Sequence, residues 1–307
     1  MKKILRLLCL TLLFSATGAF AGTINGSVAT ESAPESSPRI PFEVDAEYSY
    51  IADGTVARGA REIRDFDETY GLFRFVYTPR VKIGILRLGA AWEHFGFGFP
   101  AGVQLEDTLQ SVSAVVGFDT EFSDSILIRI EAQPGFYGSA DVFENSDAFM
   151  IPFVIGGTYI YSSDLQFVLG ASVNFDRQFP VFPGGGIRWR LASQWVLNAV
   201  LPKPRLEFEA NPNMMFFVGA DLKASTFRVG KTFGTREAGD ARLNAAVLDY
   251  TEARVGIGAE IKLSPEVKLT FEGGYVPYRE FDYHRTNVRY RHEDGAAYGS
   301  VAFRAAF

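Results

Sequence analysis

Residues 165–176, with the sequence LQFVLGASVNFD, alternate between large apolar side chains and polar or small ones. An extended strand with this period of two has one apolar face and one polar face. The apolar face carries Leu165, Phe167, Leu169, Ala171, Val173 and Phe175. This stretch therefore predicts a β-strand that separates an apolar environment from a polar one.

The same alternation recurs from residue 41 onward, and no segment shows helical periodicity. Short and long breaks alternate along the chain, which is typical of strands that run up and down with tight turns on one side. The short breaks lie at 78–80, 120–124, 161–164, 192–194, 211–213 and 264–266. The long breaks lie at 52–67, 95–107, 134–147, 232–242 and 282–295.

A direct count of these segments gives thirteen strands, whereas bacterial barrels of this type have an even number. The sequence Pro202-Lys203-Pro204 supplies the missing turn, because proline cannot donate a hydrogen bond within a sheet. Strands over 195–201 and 205–210 bring the number to fourteen. Twelve strands follow instead if a short hairpin within 184–201 lies outside the wall.

Two all-β folds fit amphipathic strands, a soluble sandwich and a membrane barrel. The strands are close to the ~9–11 residues that a tilted membrane strand needs, and their polar faces carry charges in mid-strand. Aromatic residues gather near strand ends: Tyr48, Tyr50, Trp92, Phe95, Phe118, Phe122, Tyr159, Tyr161, Phe175, Trp189 and Trp195. We therefore predict one transmembrane antiparallel up-and-down β-barrel over residues 41–307.

The N-terminus has the pattern of a cleaved secretory signal peptide over residues 1–21. Basic residues precede an apolar run, and Ala19-Phe20-Ala21 is a small-x-small cleavage site. Residues 22–40 are small, polar and aperiodic, which predicts a flexible linker. Removing residues 1–21 takes Lys plus Arg from 30 to 27 against 36 acids, so the net charge changes from −6 to −9. We predict an exported protein of the outer membrane.

The composition also excludes several function classes. Acidic residues outnumber basic ones, which disfavours a nucleic-acid partner. The only cysteine is Cys9, and no Cys/His pattern with zinc spacing is present. We expect no metal, no cofactor and no catalytic residue, with lipid and small solutes as partners.

The last strand ends in Phe303-Arg-Ala305-Ala-Phe307. It resembles the C-terminal signal of bacterial outer-membrane proteins, which the barrel-assembly machinery recognises, although Ala305 replaces the usual aromatic residue. The stretch 195–208, WVLNAVLPKPRLEF, with Val229, residues 252–256 and residues 274–281, is similar to a family of outer-membrane β-barrel proteins defined only as a domain of unknown function. That resemblance implies a fold and a location, and no activity.

The polar faces predict a lumen that carries charges of both signs. The candidate pore-lining residues are Glu43, Asp45, Glu47, Arg74, Arg87, Arg129, Glu131, Arg188, Arg190 and Arg254. An acidic row on the first strand would face the basic pair Arg188 and Arg190 across the barrel. The functional interpretation is a porin-like channel for small polar solutes with a transverse field. The alternative is a non-conducting structural or ligand-binding barrel whose charges pair and fill the lumen.

Three loop patterns carry weaker hypotheses. Asp65-Phe-Asp67 with Asp282-Tyr-His284 resembles the Asp/His constellation of omptin outer-membrane proteases, which predicts a surface protease as a further alternative to solvated loop charges. Residues 95–100, FGFGFP, predict either a constriction or an anchor in the outer leaflet, and we favour the anchor. The basic residues within 283–292 predict either contact with lipopolysaccharide phosphates or ordinary solvation.

Overall fold

The computed structural model describes residues 41–100, 103, 105–140 and 146–307. The predicted signal peptide (1–21) and linker (22–40) lie outside these residues. The described chain is a closed antiparallel β-barrel of 14 strands, which confirms the predicted fold class and the higher of the two strand counts. The first strand pairs with both the second and the last, and this pairing closes the barrel.

We number the wall strands in chain order. They are β1 (Phe42–Arg58), β2 (Arg61–Tyr77), β3 (Gly84–Gly98), β4 (Thr108–Ser123), β5 (Ile126–Ala132, continued by Gly135–Gly138), β6 (Phe149–Met150 and Phe153–Ile160), β7 (Leu165–Val173), β8 (Val181–Arg190), β9 (Trp195–Val200), β10 (Arg205–Asn211), β11 (Met214–Arg228), β12 (Val247–Lys262), β13 (Val267–Tyr283) and β14 (Val288–Asp294 and Ala296–Ala306).

Minor elements complete the described chain. A two-residue strand, Arg80–Val81, belongs to the turn before β3. Short 3-10 or π-helical turns occur at Ser146–Ala148, Gly234–Ala238, Ala241–Leu243 and His284–Thr286. None of the helices in the described ranges is long and apolar enough to cross a membrane.

The predicted proline turn divides residues 195–211 into two strands. β9 ends at Val200 and β10 begins at Arg205, with Pro202-Lys203-Pro204 between them. The carbonyl oxygens of Pro202 and Pro204 accept hydrogen bonds from the backbone of β11 at 3.0 and 2.9 Å. The turn is therefore hydrogen-bonded to the wall and separates β9 from β10, which brings the number of strands to fourteen.

Large apolar side chains cover the outside of the barrel in a continuous band. Leu169 is 74% exposed, Ile257 is 69% exposed and Tyr48 is 58% exposed. A soluble protein rarely exposes so much contiguous apolar surface, whereas a membrane barrel directs it into lipid. The apolar faces thus point outward, and the barrel spans a membrane.

The wall has two heights. β1–β4 and β11–β13 are 15 to 17 residues long, whereas β7–β10 have only 6 to 10 residues. The long strands therefore continue beyond the apolar band at the end opposite to the short turns. We call this continuation the extension.

The structure corrects four of the predicted long loops, because residues 52–58, 61–67, 95–98, 135–138 and 288–294 are strand rather than loop. The apolar face changes sides at the edge of the band. On β12, Val255 and Ile257 point outward, while Leu248 and Tyr250 are fully buried inside. The alternation of apolar and polar residues is therefore interrupted at the edge of the band, although the strand itself continues.

A cluster of buried aromatic and aliphatic side chains fills the inside of the extension, and we call it the aromatic cap. The ring of Phe97 on β3 lies 5.3 Å from that of Tyr250 on β12 and 5.1 Å from that of Phe281 on β13. These contacts cross the barrel axis. The favoured interpretation of residues 95–100 as an outer-leaflet anchor was wrong for Phe95 and Phe97, which are buried in the cap.

Replacing Phe97 by alanine should destabilise the extension, because the ring leaves a cavity between three strands. We expect a loss of about 3–5 kcal/mol in the free energy of unfolding, typical of a buried Phe→Ala change. Urea unfolding in detergent micelles, followed by tryptophan fluorescence, measures it. Phe122→Ala, at a position that is 75% exposed, is the matched control. Equal losses for the two variants would show that the cap is not a packed core.

Candidate functional site: the barrel lumen

The acidic row predicted on β1 does face the lumen, but each carboxylate has a basic partner. Arg87 binds Glu43 through two nitrogens, at 3.0 and 2.8 Å. Arg304 on the neighbouring strand β14 binds Asp45 at 2.7 Å. Glu47 accepts from Lys203 and Lys223, which belong to non-adjacent parts of the wall, as described below. The row is therefore neutralised within the lumen.

The largest group of charges near the short-turn end joins β2, β3 and β5. Arg74 contacts both oxygens of Glu131 at 2.7 and 2.6 Å, and Arg87 contacts the same carboxylate at 3.1 Å. All three side chains are buried. Arg129 pairs with Asp119 at 2.6 Å beside this group. Buried charges are tolerated where partners satisfy them, and this network meets that condition.

A second group of charges bridges the barrel. Lys223 on β11 contacts Glu47 on β1 at 2.6 Å and lies 3.3 Å from the ring centre of Tyr70. Lys203, from the proline turn, contacts Glu47 at 3.4 Å and Asp221 at 3.0 Å. Because β12, β13 and β14 separate β11 from β1, these pairs span part of the lumen between non-adjacent strands.

A third group lies directly beneath the aromatic cap. Arg254 pairs with Glu252 and donates to Ser49 on β1 at 2.8 Å. The Tyr250 hydroxyl donates to Glu68 at 2.5 Å, and Glu68 lies 3.5 Å from Arg279. Glu68, Glu252 and Arg279 are fully buried. The cap thus rests on a layer of buried charge.

Several participants are absent from the predicted pore-lining set, among them Glu68, Glu93, Lys203 and Arg279. Glu68 and Arg279 lie next to the edge where the apolar face changes sides. Lys203 belongs to a turn rather than a strand. Glu93, which accepts from Tyr70 at 3.2 Å and from Ser225 at 3.1 Å, does alternate with apolar neighbours on β3. Its alternation could have placed it in the lumen.

The basic pair on β8 does not oppose a free acidic row, so the predicted transverse field is corrected. Arg190 pairs with Glu209 on β10 at 2.8 Å. Arg188 is half-buried and faces Gln166 and Asn198 across its neighbouring strands. Among the described residues, no carboxylate lies within 4.0 Å of Arg188. It is the one predicted pore-lining residue that keeps an uncompensated charge at contact distance within the described part of the chain.

The wall formed by β6, β7 and β8 differs from the rest of the lumen, and we call it the small-residue wall. Gly170 is paired directly with Gly156 on one side and with Gly184 on the other. The next inward row consists of Thr158, Val168 and Gly186. Thr158, Val168 and Gln166 are half-buried, whereas the inward arginines 87, 254 and 279 are almost fully buried. The lumen is therefore more open along the lower part of the small-residue wall than beside these arginines, whereas Val154 and Ser172 at its upper end are buried.

The two patterns of the protease hypothesis lie on strand β2 and at the end of strand β13, and the hypothesis stays a prediction. Asp65 and Asp67 belong to β2, and Asp282 ends β13, with β14 and β1 between them. Asp282 pairs with Arg289, and His284 contacts Asp249 at 3.2 Å. Burial raises the pKa of Asp282, against the effect of the Arg289 guanidinium. The structure thus separates the two patterns.

The basic residues of 283–292 also have partners within the extension. Arg291 contacts Glu280 at 2.7 Å, and Arg285 lies 3.5 Å from Asp176. Burial lowers the pKa of His292 to about 4, and the charge of Arg279 adds to this effect. In the described ranges, no group of three or more His, Cys, Asp and Glu residues has the arrangement of a metal site.

Comparison with known proteins gives structural neighbours only. No family model matches the sequence, and no curated protein matches it. An outer-membrane channel from Pseudomonas putida F1 is 7% identical, with a TM-score of 0.45, over 90% of this chain and 99% of that one. The KdgM porin in complex with oligogalacturonate is 10% identical, with a TM-score of 0.36, over 86% and 99%. The toluene transporter TodX of P. putida is 10% identical, with a TM-score of 0.41, over 88% and 91%.

Removing the carboxylate shared by Arg74 and Arg87 should lower the stability of the folded barrel. In Glu131→Gln two buried guanidinium groups lose their common partner, and we expect a loss of about 3–5 kcal/mol in the free energy of unfolding. The thermal midpoint, followed by circular dichroism in detergent, reports this change. Glu62→Gln, whose partner Arg64 is exposed at the rim, is the control and should leave the midpoint almost unchanged. Similar midpoints for both variants would contradict the structural role of the network.

Proposed function

We propose that this protein is an outer-membrane channel for small polar solutes and that its conduit runs along the small-residue wall. The observation that carries the proposal is the inward glycine row 156, 170 and 184, which adds no side chain to the lumen and lies above inward residues that are only half-buried, Gln166, Val168 and Arg188. Polar side chains, Gln166, Arg188 and Asn198, line that part of the lumen toward the short-turn end. A polar lumen inside an apolar exterior is typical of porin-like barrels.

A non-conducting barrel is the second candidate. The aromatic cap crosses the inside of the extension, and the pair Lys223–Glu47 joins non-adjacent strands inside the lumen below it. Both features would stabilise a barrel that binds a ligand or has a structural role and conducts no ions. The two candidates differ in one measurable property, the passage of ions through the isolated protein.

Planar-bilayer recording of the wild type distinguishes these candidates. A channel gives discrete current steps, and their absence at every voltage would contradict the proposal and favour the non-conducting barrel. The uncompensated charge of Arg188 should contribute to ion selectivity because it lies on the most open wall. Arg188→Glu should therefore shift the reversal potential in a salt gradient toward cations. Arg80→Glu, on an exposed turn outside the lumen, is the matched control and should leave the reversal potential unchanged.

The outer membrane is the proposed location because closed antiparallel barrels with an even number of strands are typical of it. The C-terminal strand supports the same proposal. Phe307 donates its backbone N–H to Phe42 at 2.9 Å, and the two rings lie 4.6 Å apart. Phe303 and Phe307 both remain exposed on the outside, where an assembly factor can reach them.

Phe307→Ala should lower the amount of folded protein that reaches the outer membrane of a Gram-negative host. The same variant, refolded in detergent, should reach the wild-type yield, because the terminal ring contributes little to the folded barrel. This combination separates recognition by the assembly machinery from stability. Phe122→Ala, another exposed aromatic at the same rim, is the control. Normal assembly of Phe307→Ala in cells would exclude the proposed recognition.

A further inference from the structure

The wall has a gap on one side of the extension. β8 pairs with β9 only through residues 186–190, whereas its pairing with β7 reaches Val181. β10 pairs with β11 only as far as Gly219, whereas β11 continues to Arg228. Within the described part of the chain, no strand therefore lies between the upper parts of β8 and β11, and we call this opening the side gap.

The side gap has defined ends. At the bottom the proline turn closes it: Leu222 donates to Pro202 at 3.0 Å, and Leu201 donates to Gly185 at 3.2 Å. At the top Arg228 on β11 is paired with Gly138 on the continuation of β5. Between these points, residues 223–227 have no β-ladder partner on that edge among the described residues. Backbone N–H and C=O groups without partners at such an edge would cost free energy in lipid, because no water is there to bind them. We therefore place the gap outside the hydrocarbon layer.

Residues 174–180, which connect β7 and β8, lie across the side gap, and we call them the cover loop. The backbone N–H of Gln178 donates to Asp249 on β12 at 3.0 Å. Asp176 pairs with Arg228 at 3.0 Å and lies 3.5 Å from Arg285. Polar contacts, rather than a packed apolar interface, thus hold the loop against β11 and β12.

A small cavity lies beneath the cover loop at the free edge of β11. Its lining includes Arg177 and Gln178 of the loop, Ser225 and Thr226 of β11, and Asp249 and Thr251 of β12. Ser225 points into the lumen, where it contacts Glu93, whereas Asp249 points outward. The cavity therefore lies on the outer face of β11 and β12, at the free edge of β11, whose inward residue Ser225 contacts the lumen.

The surroundings of this cavity are polar. Glu280 and Asp282 complete its outward side, and the exposed apolar band on β12 and β13 ends below them at Val255 and Tyr275. The side gap thus opens above the lipid, toward water. The axial route is closed at the same height by the aromatic cap, whose rings meet across the barrel.

We propose that the side gap is the outer opening of the conduit and that the cover loop closes it. Above the glycine row, the inward pair Val154 and Ser172 is buried beneath the cover loop, where Arg177 donates to Ser172 at 3.4 Å. In this closed position the loop covers the upper end of the small-residue wall, so its displacement would join that wall to the gap. This inference rests on the proposed channel function. It adds a solute route that leaves the barrel beside the axis, through a polar opening suited to small hydrophilic molecules.

Crosslinking the cover loop to β12 tests the route. Cysteines replace Gln178 and Thr251, which line the same cavity, in a chain whose only other cysteine is Cys9. A short bis-methanethiosulfonate reagent, added after folding, bridges the two thiols, and dithiothreitol releases them. We expect the crosslinked double variant to lose most of its single-channel current and to recover it on reduction. Each single cysteine variant, treated identically, should keep the wild-type current.

Asp176→Asn is the complementary test, because it removes the pairing of the loop with Arg228 and Arg285 and should increase the fraction of time spent open. Wild-type current through the crosslinked barrel would overturn the side opening and leave the channel function intact. Absence of current from wild type, Asp176→Asn and the uncrosslinked double variant, each folded by circular dichroism, would overturn the channel function and the opening together.

Discussion

Backbone hydrogen bonding in hydrocarbon is the constraint on which the rest of this structure depends. A strand surrounded by lipid has no water to satisfy its N–H and C=O groups, so every wall strand needs a partner on both sides. Within the apolar band the barrel meets this requirement, from the β1–β14 closure to the short strands β9 and β10. Only above the band, where water returns, does the wall leave an edge of β11 without a neighbouring strand.

The change of environment also explains why the two ends of one strand differ. Inside the band, apolar side chains face outward and charges face the lumen. In the extension, water surrounds the outside, so the apolar side chains turn inward and form a core, as in a soluble barrel. β3 shows both regimes, with Trp92 exposed to lipid and Arg87 buried below, and with Phe95 and Phe97 buried above. One chain thus builds a membrane barrel and, on top of it, a small soluble one.

The sequence predicted the barrel, its fourteen strands and the faces of its charged residues, because period-two alternation reports directly on a two-sided environment. The prediction of strands failed where that environment changes. In residues 52–67 and 282–295 the apolar side chains point into the barrel instead of outward, so a search for outward apolar residues assigns these stretches to loops. The pairing of the charges was out of reach for a different reason. Lys223 and Glu47 are 176 residues apart, and their contact depends on the curvature and closure of the whole barrel.

Charge pairing and the glycine row have a joint consequence for the lumen. Ion pairs between non-adjacent strands hold long side chains inside the lumen, so the space that remains lies against the wall with the shortest inward side chains. Gly156, Gly170 and Gly184 supply such a wall on three adjacent strands. Those strands are also the short ones, which end beneath the cover loop. The same part of the wall therefore determines where the lumen is open and where it meets the gap in the extension.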